Sequence, residues 1–191
     1  MDTFVINTDF LHMSEDEFFR FCQDNDFLKF ERTADKQIIV MTPTGTDSGI
    51  KNSDINFQLT LWNKEYKLGY VFDSSSGFTL PNSAVRSPDA SWIKKERYDA
   101  LDKEDVQKFG HICPDFVIEL VSKSDRISDL KLKMEEWITN GCKLGWLIDP
   151  KEEKVYIYKP LKEVITVEGF DQKLSGEDVL PDFVLELKSL R

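Results

Sequence analysis

The sequence predicts a mixed α/β fold, in which short strands alternate with helices that pack against a sheet. The strongest strand signal is the apolar run from Phe116 to Leu120, bounded by Pro114 and a Ser-Lys-Ser cluster, which is typical of a central strand covered on both faces. Apolar residues at helical spacing after Ile55 and after Ile127 predict two core-facing helices. At 191 residues, the chain suits one domain with a sizeable core, spanning residues 1–191.

The first 31 residues concentrate negative charge. They hold eight acidic and two basic residues in a chain whose net charge is −10. Ser14 and Glu17 form a capping box before a Phe-rich stretch, which predicts a short helix ending near Asn25. We therefore interpret residues 1–31 as an acidic, helical appendage to the domain, and as a candidate segment for partner docking or self-inhibition.

The remaining elements follow from turn residues and hydrophobic periodicity. Before the central strand, the predicted order is a hairpin of 27–32 and 37–41, a polar turn at 44–49, a helix from about 55 to 67, and short strands at 70–72 and 78–80. A strand at 84–94 and a charged loop with a short helix at 94–108 then lead to the central strand. After it come a helix capped within 122–125 and closed at 141, a strand at 144–148, and a hairpin of 155–158 and 164–168. Pro88 implies that the strand at 84–94 is an edge strand or carries a bulge.

Composition excludes several classes of protein. With 40% apolar residues the chain has no disorder signature, and no run is long enough to cross a membrane, so we expect a cytoplasmic protein. The three cysteines lack a CxxC spacing, which favours buried free thiols over a zinc site or disulfides. The acidic net charge disfavours broad phosphate binding. The stretch 122–133 is locally basic and lies beside the central strand.

Glu119 is unexpected in the central strand. Alternation places it on one face with Asp115, Val117 and Val121. An unpaired carboxylate in a dry interior costs several kcal/mol, so Glu119 needs a cation, a metal, hydrogen-bond donors or a bound proton. Asp115 shares its face, but four residues along a strand separate the two acids by about 13 Å. We therefore interpret Asp115 as an acid at the strand start, or as one that supports the site without binding a metal.

Asp89 and a lysine are candidate partners of Glu119. Two acids on neighbouring strands can hold a divalent cation through oxygen, and an ammonium nearby can stabilise charge on a phosphodiester oxygen. Periodicity leaves Lys131 and Lys133 equally able to reach back over the sheet. The alternative without catalysis is a structural ion pair between Glu119 and a lysine. His111 is interpreted as a surface residue or one with satisfied hydrogen bonds, and not as a ligand.

Several motifs, in this order and spacing, resemble one family. They are Pro43-Thr44-Gly45, Asn52 to Asn56, Ser74 to Phe78, Arg86 to Trp92, Pro114 to Leu120, Lys133 to Trp137, Asn140-Gly141, Gly145 to Pro150 and Leu180 to Phe183. Together they are similar to the Uma family (DUF820 type) of restriction-endonuclease-like proteins, within the PD-(D/E)xK nuclease superfamily. The resemblance implies a mixed sheet flanked by helices, with Mg²⁺, or Mn²⁺ in its place, held at the sheet.

The resemblance also implies site residues. Asp89 would be the Pro-Asp acid and Glu119 the second acid, both metal ligands. Val121 stands where the motif lysine belongs, and the family's lysine on the following helix corresponds to Lys133, which we select as the third catalytic residue. Many family members carry histidine where this chain has Asn52, so Asn52 is left out of the catalytic set. Ser122 is a weaker candidate for the polar rim of the site.

The resemblance implies a Mg²⁺-dependent endonuclease that hydrolyses DNA, with pairing into a homodimer as the arrangement that cuts both strands. The alternative is a binding or regulatory module on a nuclease fold that does not cut, because fold does not determine function. The negative net charge favours the module. The intact set of two acids and a lysine favours the enzyme.

Overall fold

A computed structural model describes residues 3–6 and 13–191 of the chain. Its helices are α1 (Glu15–Asp24), α2 (Thr46–Tyr66), α3 (Lys95–Tyr98) and α4 (Ile127–Thr139), with 3₁₀ turns at Asp105–Gln107 and Leu187–Leu190. Its strands are β1 (Thr3–Ile6), β2 (Lys29–Arg32), β3 (Ile38–Met41), β4 (Gly69–Asp73), β5 (Phe78–Thr79), β6 (Val85–Arg86), β7 (Ala90–Lys94), β8 (Phe116–Leu120), β9 (Leu144–Asp149), β10 (Lys154–Tyr158), β11 (Ile165–Glu168), β12 (Lys173–Ser175) and β13 (Val184–Glu186).

A six-stranded mixed sheet forms the centre of the fold. Its order is β11-β10-β9-β8-β7-β4, and β8 and β9 are its parallel pair. Parallel neighbours need a crossover connection, which α4 provides between β8 and β9. The mixed α/β class is therefore confirmed.

Each face of this sheet is covered by one long helix. Phe116, Ile118 and Leu120 of β8 join a core with the buried side of α2. Val117, on the other face of β8, joins a core with the buried side of α4. All five residues of β8 are buried, so the prediction of a central strand covered on both faces is confirmed. Glu119 points to the α4 side.

A second, antiparallel sheet has the order β1-β3-β2-β6-β5. It contains the predicted hairpin as β2 and β3. The predicted capping box at Ser14 and Glu17 is present at the start of α1. The ring of Phe18 on α1 is fully buried with Ile38 and Val85 of this sheet. A short β12–β13 ribbon completes the strands of the described residues.

The predicted turn at 44–49 and the predicted strand at 84–94 are wrong. Thr46 to Gly49 already belong to the first turn of α2, because polar residues are well accommodated at a helix start. The strand is two strands, β6 and β7, which belong to different sheets. Pro88 lies in the break between them, where it removes no ladder hydrogen bond.

The predicted N-cap of α4 is also wrong. The helix is capped by Arg126, without a side-chain hydrogen bond. Asp125 instead accepts a hydrogen bond from the amide of Ser122, which forms a local turn before the helix.

Among the cysteines, Cys113 and Cys142 are buried free thiols as predicted, whereas Cys22 is only partly buried. In the described residues, no helix is both long and apolar enough to span a membrane.

Gly69→Ala is expected to destabilise the protein by about 1–3 kcal/mol, the usual cost of overpacking. A Cβ at Gly69, at the start of β4, would overlap the backbone carbonyl of Ile93 and the indole of Trp92. Gly49→Ala in α2 is the matched control. It would meet nothing within 4 Å, and it should stabilise the helix by about 0.5–1 kcal/mol. Urea unfolding of both variants would measure this, and equal effects would contradict it.

His111 makes a pH-dependent contact that ties α1 to the loop before β8. Its Nε2 lies 2.8 Å from Glu15 Oε2, and its Nδ1 lies 2.5 Å from Asp105 Oδ1. These hydrogen bonds, first with Asp105 and then with Glu15, raise the pKa of His111 above 6.5. A raised pKa means that the folded state favours the imidazolium. The stabilisation is therefore complete below pH 6.5 and is lost as the pH rises through the folded-state pKa.

His111→Gln is accordingly expected to cost stability at pH 5.5 and almost nothing at pH 9. The loss should stay below about 1 kcal/mol, because the contact is solvent-exposed and screened. Urea unfolding at both pH values checks this. A loss of the same size at both would show that the imidazolium contributes nothing.

Candidate functional site

Glu119 lies at the centre of the candidate site, buried beneath α4. Its Oε1 accepts hydrogen bonds from Trp137 Nε1 at 2.9 Å and faces Lys133 Nζ, also at 2.9 Å. Lys133 and Trp137 are four residues apart on α4, so both point to the same part of the sheet. The unexpected acid of the central strand thus has an ammonium and an indole donor as partners.

Asp89 lies just before β7, beside the end of β8 that carries Glu119. The antiparallel register pairs Ala90 with Ile118, which brings the preceding Asp89 next to the following Glu119. Asp89 Oδ2 accepts a hydrogen bond from the Leu120 amide at 2.8 Å. Antiparallel pairing therefore brings together the two acids selected from the sequence.

Helix α2 holds Asp89 from the other side. Asn52 Nδ2 donates to Asp89 Oδ1 at 3.1 Å, and Asn56 Nδ2 donates to the Asp89 carbonyl at 3.0 Å. Asn52 and Asn56 therefore form one wall of the site, and Asn52 is a site residue that the sequence reasoning left out.

The choice between the two lysines is visible in the helix geometry. Lys133 points under α4 into the site, whereas the Lys131 ammonium lies 4.1 Å from the ring centroid of Tyr156. The side chain of Lys133 is only 14% exposed. Of the two candidates, Lys133 contacts Glu119.

Glu31 is the main residue that the sequence reasoning missed. It lies on β2, is 3% exposed, and its Oε1 is 2.8 Å from Lys133 Nζ. The same oxygen accepts a hydrogen bond from the Ser87 amide at 2.9 Å. The signal that revealed Glu119, an acid inside a predicted strand, was also present at Glu31. Its position in the acidic first 31 residues concealed it.

Arg86 closes the network on the side away from Lys133. Its Nη1 lies 3.0 Å from Glu31 Oε2, and its Nε lies 2.5 Å from Glu136 Oε2. Glu31 therefore has a cation at each oxygen. Pairing of this kind is what allows a carboxylate to remain charged in the interior.

The two site carboxyls differ from Glu31 in their proton affinity. Burial raises the pKa of Glu119 to about 7, and the charges of Asp89 and Glu31 add to this, against the opposing charge of Lys133. Burial likewise raises the pKa of Asp89. Burial alone would raise the pKa of Glu31, but Lys133 and Arg86 hold it below its usual value. Asp89 and Glu119 are thus the under-compensated anions of the site, meaning that nearby cations do not fully balance their negative charge.

Lys133 stays protonated at neutral pH. Burial would lower its pKa, but the charges of Glu119 and Glu31 outweigh burial and raise it above the usual value. The side chain therefore acts as a fixed positive charge and hydrogen-bond donor. It is not poised to accept a proton.

The oxygen atoms at the site fit a hard divalent cation. Asn52 Oδ1 is buried and has no hydrogen-bond partner among the described residues, although its amide nitrogen contacts Asp89. A buried carbonyl oxygen without a donor, on a side chain that contacts Asp89, suits the all-oxygen ligand sets that Mg²⁺ takes together with water. No group of three His, Cys, Asp or Glu side chains suited to a metal occurs in residues 3–6 and 13–191. The protein would therefore supply two acids and an amide.

Asp115 lies at the opposite end of β8 and makes contacts that account for its charge. It lies 2.7 Å from Lys143 and 2.8 Å from Arg97, and it accepts a hydrogen bond from the Lys94 amide. These contacts hold its pKa below the usual value despite burial. Asp115 is a strand-start acid, as interpreted from the sequence. Ser122, the candidate rim residue, follows β8 by two positions and is partly buried.

A family model described as Uma2, putative restriction endonuclease, matches residues 15–188. The structure is similar to the crystal structure of a putative nuclease belonging to DUF820 from Anabaena variabilis ATCC 29413, with a TM-score of 0.75, 22% sequence identity, and coverage of 93% of this chain and 97% of that chain. At this identity the structural similarity shows the fold alone. No curated protein matches the sequence.

Proposed function

Because the chain belongs to the Uma2 family of putative restriction endonucleases, we propose that it is a Mg²⁺-dependent endonuclease that hydrolyses phosphodiester bonds in DNA. The observation that carries this proposal is the meeting of Asp89, Glu119 and Lys133. Two under-compensated carboxylates and a fixed ammonium adjoin one another where β7 and β8 pair. This donor set suits metal-assisted attack on a phosphodiester.

Asp89 and Glu119 would hold the cation, with Asn52 Oδ1 as a third protein oxygen; Mn²⁺ would substitute for Mg²⁺. Bound Mg²⁺ supplies Lewis-acid polarisation of a phosphoryl oxygen and lowers the pKa of coordinated water. The Leu120 amide and the Trp137 indole fix the orientations of the two carboxylates. Such supporting hydrogen bonds are worth about 10–100-fold in metal affinity or activity.

Lys133 would stabilise the negative charge that develops on the phosphodiester during attack. Its raised pKa suits this electrostatic role and argues against a role as general base. A preorganised positive charge in a partly dry site interacts more strongly with the transition state than it would in water.

DNA would contact a small basic part of the surface beside the site. Lys123 and Arg126 are exposed in the loop between β8 and α4, next to the strand that carries Glu119. The net charge of −10 limits wider electrostatic contact.

We also propose a homodimer, so that both strands can be cut. Ile50, Phe57 and Leu61, all more than half exposed, form a stripe on α2 that offers a surface for pairing.

The test combines metal binding with DNA cleavage. Calorimetry should detect saturable Mg²⁺ binding to the wild type, and binding should be lost in Asp89→Asn and Glu119→Gln. Nicking of supercoiled and single-stranded DNA should fall by at least about 10²-fold in both variants. Glu135→Gln, an exposed acid on α4, is the matched control and should behave as wild type. Cleavage that persists in Glu119→Gln would place the active site elsewhere.

One observation favours a second candidate, a DNA-binding module that does not cut. Lys133 pairs with both Glu31 and Glu119, so a structural ion pair accounts for the burial of this lysine without a catalytic role. A module of this kind would bind DNA, would show no Mg²⁺ binding, and would cut no substrate. The same titrations therefore separate the two functions.

A further inference from the structure

We infer that Glu31 is the positioning residue for Lys133, holding its ammonium in the site when Glu119 is engaged by a cation. The inference rests on the proposed metal site for its consequence, but its geometric basis stands independently. It gives a function to a buried acid of the second sheet that neither the sequence motifs nor the family description includes.

The ammonium of Lys133 has three acceptors for its three N–H groups. They are Glu31 Oε1 at 2.8 Å, Glu119 Oε1 at 2.9 Å and the Ser87 carbonyl at 3.3 Å. A lysine with every donor used is confined to one position. Two of these acceptors lie outside the β8 strand, so they do not depend on Glu119.

Glu31 is itself held rigidly. The Ser87 amide and Arg86 Nη1 bond its two oxygens, and Arg86 is in turn held by Glu136. These charge-assisted bonds are short and orienting. Because β2 and β6 pair at Arg32 and Val85, the backbone also fixes Glu31 beside the segment that leads to Asp89.

The two carboxylates on Lys133 are not equivalent. Glu31 already has Lys133 and Arg86 on its two oxygens, whereas the partners that Glu119 has among the described residues, Lys133 and Trp137, both meet it at Oε1. A cation would therefore engage Glu119. Once engaged, Glu119 attracts Lys133 less, and the cation repels the ammonium. Glu31 is the charge that then keeps Lys133 at the site.

The first test measures how readily Lys133 reacts, which requires the amine to lose its proton and to leave its carboxylate partners. Acetylation of Lys133 by a small acylating reagent is followed by peptide mass spectrometry, with and without Mg²⁺. Glu31→Gln keeps the volume of the side chain and removes its charge, and it should raise the acetylation rate at least about tenfold, with a larger rise in Mg²⁺. Glu136→Gln is the matched control, because Glu136 pairs with Arg86 and makes no hydrogen bond or ion pair with Lys133 among the described residues. It should change the rate less than about twofold.

The second test separates positioning from general structural support. In DNA cleavage, Glu31→Gln should lower kcat by about 10–100-fold while KM for DNA stays within about twofold. Glu31→Asp keeps the charge one methylene further away and should restore part of kcat. If Glu31→Gln does not fold, Glu31→Asp replaces it in the first test. The acetylation rate of Lys133 in Glu31→Asp should then exceed that in the wild type.

The outcomes are distinct. An acetylation rate of Lys133 in Glu31→Gln equal to that in Glu136→Gln would overturn the positioning role. A loss of DNA affinity in Glu31→Gln as large as its loss of kcat would also overturn the positioning role. If the wild type cuts no DNA, the proposed function fails, and a raised acetylation rate in Glu31→Gln would still establish the geometric role.

Discussion

Lys133→Met is expected to lower the free energy of unfolding by about 3–5 kcal/mol at pH 8, the usual cost of removing one partner of a buried ion pair. Methionine fills a similar volume, so the loss comes chiefly from charge. The substitution leaves Glu119 and Glu31 buried, 4% and 3% exposed, without the ammonium between them. Urea unfolding at constant ionic strength measures the change.

The same loss should shrink as the pH falls. Lys133 lowers the pKa of both carboxyls, so its removal raises both values in the folded state. A carboxyl whose folded-state pKa is raised binds protons more tightly when folded, and stability then decreases as the pH rises toward that pKa. Lys133→Met should therefore approach wild-type stability near pH 5 and show its full deficit at pH 8.

Lys131→Met on the same helix is the matched control. Lys131 stacks on Tyr156, so its loss should cost about 0.5–1 kcal/mol at any pH between 5 and 8. Equal deficits for the two variants at pH 8 would show that the buried carboxylates do not depend on Lys133. That result would remove the electrostatic basis of the site.

Mg²⁺ affinity at the proposed site is expected to fall steeply with acid. The pKa of Glu119 is raised by burial to about 7, so the cation must displace a proton below this pH. The dissociation constant should rise about tenfold per pH unit below 7 and level off above it. Between pH 8 and pH 5 this amounts to about 10²-fold, measured by calorimetry.

Proton release provides the internal check. At pH 6 the measured binding enthalpy should depend on the ionisation enthalpy of the buffer, because close to one proton leaves per cation bound. At pH 8.5 this dependence should almost disappear. An affinity that does not change between pH 5 and pH 8 would mean that no proton on Glu119 competes with the cation.

Much of the fold could be predicted because hydrophobic pattern and turn chemistry are local. The apolar run of β8, the stripe of α4 and the capping box of α1 all appear where the sequence placed them. The errors fell where tertiary context overrides local pattern. Residues 84–94 alternate as one strand, but the chain passes from one sheet to the other at Pro88.

The sequence by itself determined that Glu119 would be a buried acid in need of partners, and its motifs selected Asp89 and Lys133. Only the tertiary structure decided that Glu31 would share Lys133 and that Arg86 would pair with Glu31. Glu31 and Arg86 are 55 residues apart, and their contact depends on the pairing of β2 with β6. Periodicity states which face of an element is apolar, because burial of apolar surface follows from each residue's own chemistry. Which charged groups meet inside depends on how separate elements dock, and no local pattern in one chain records it.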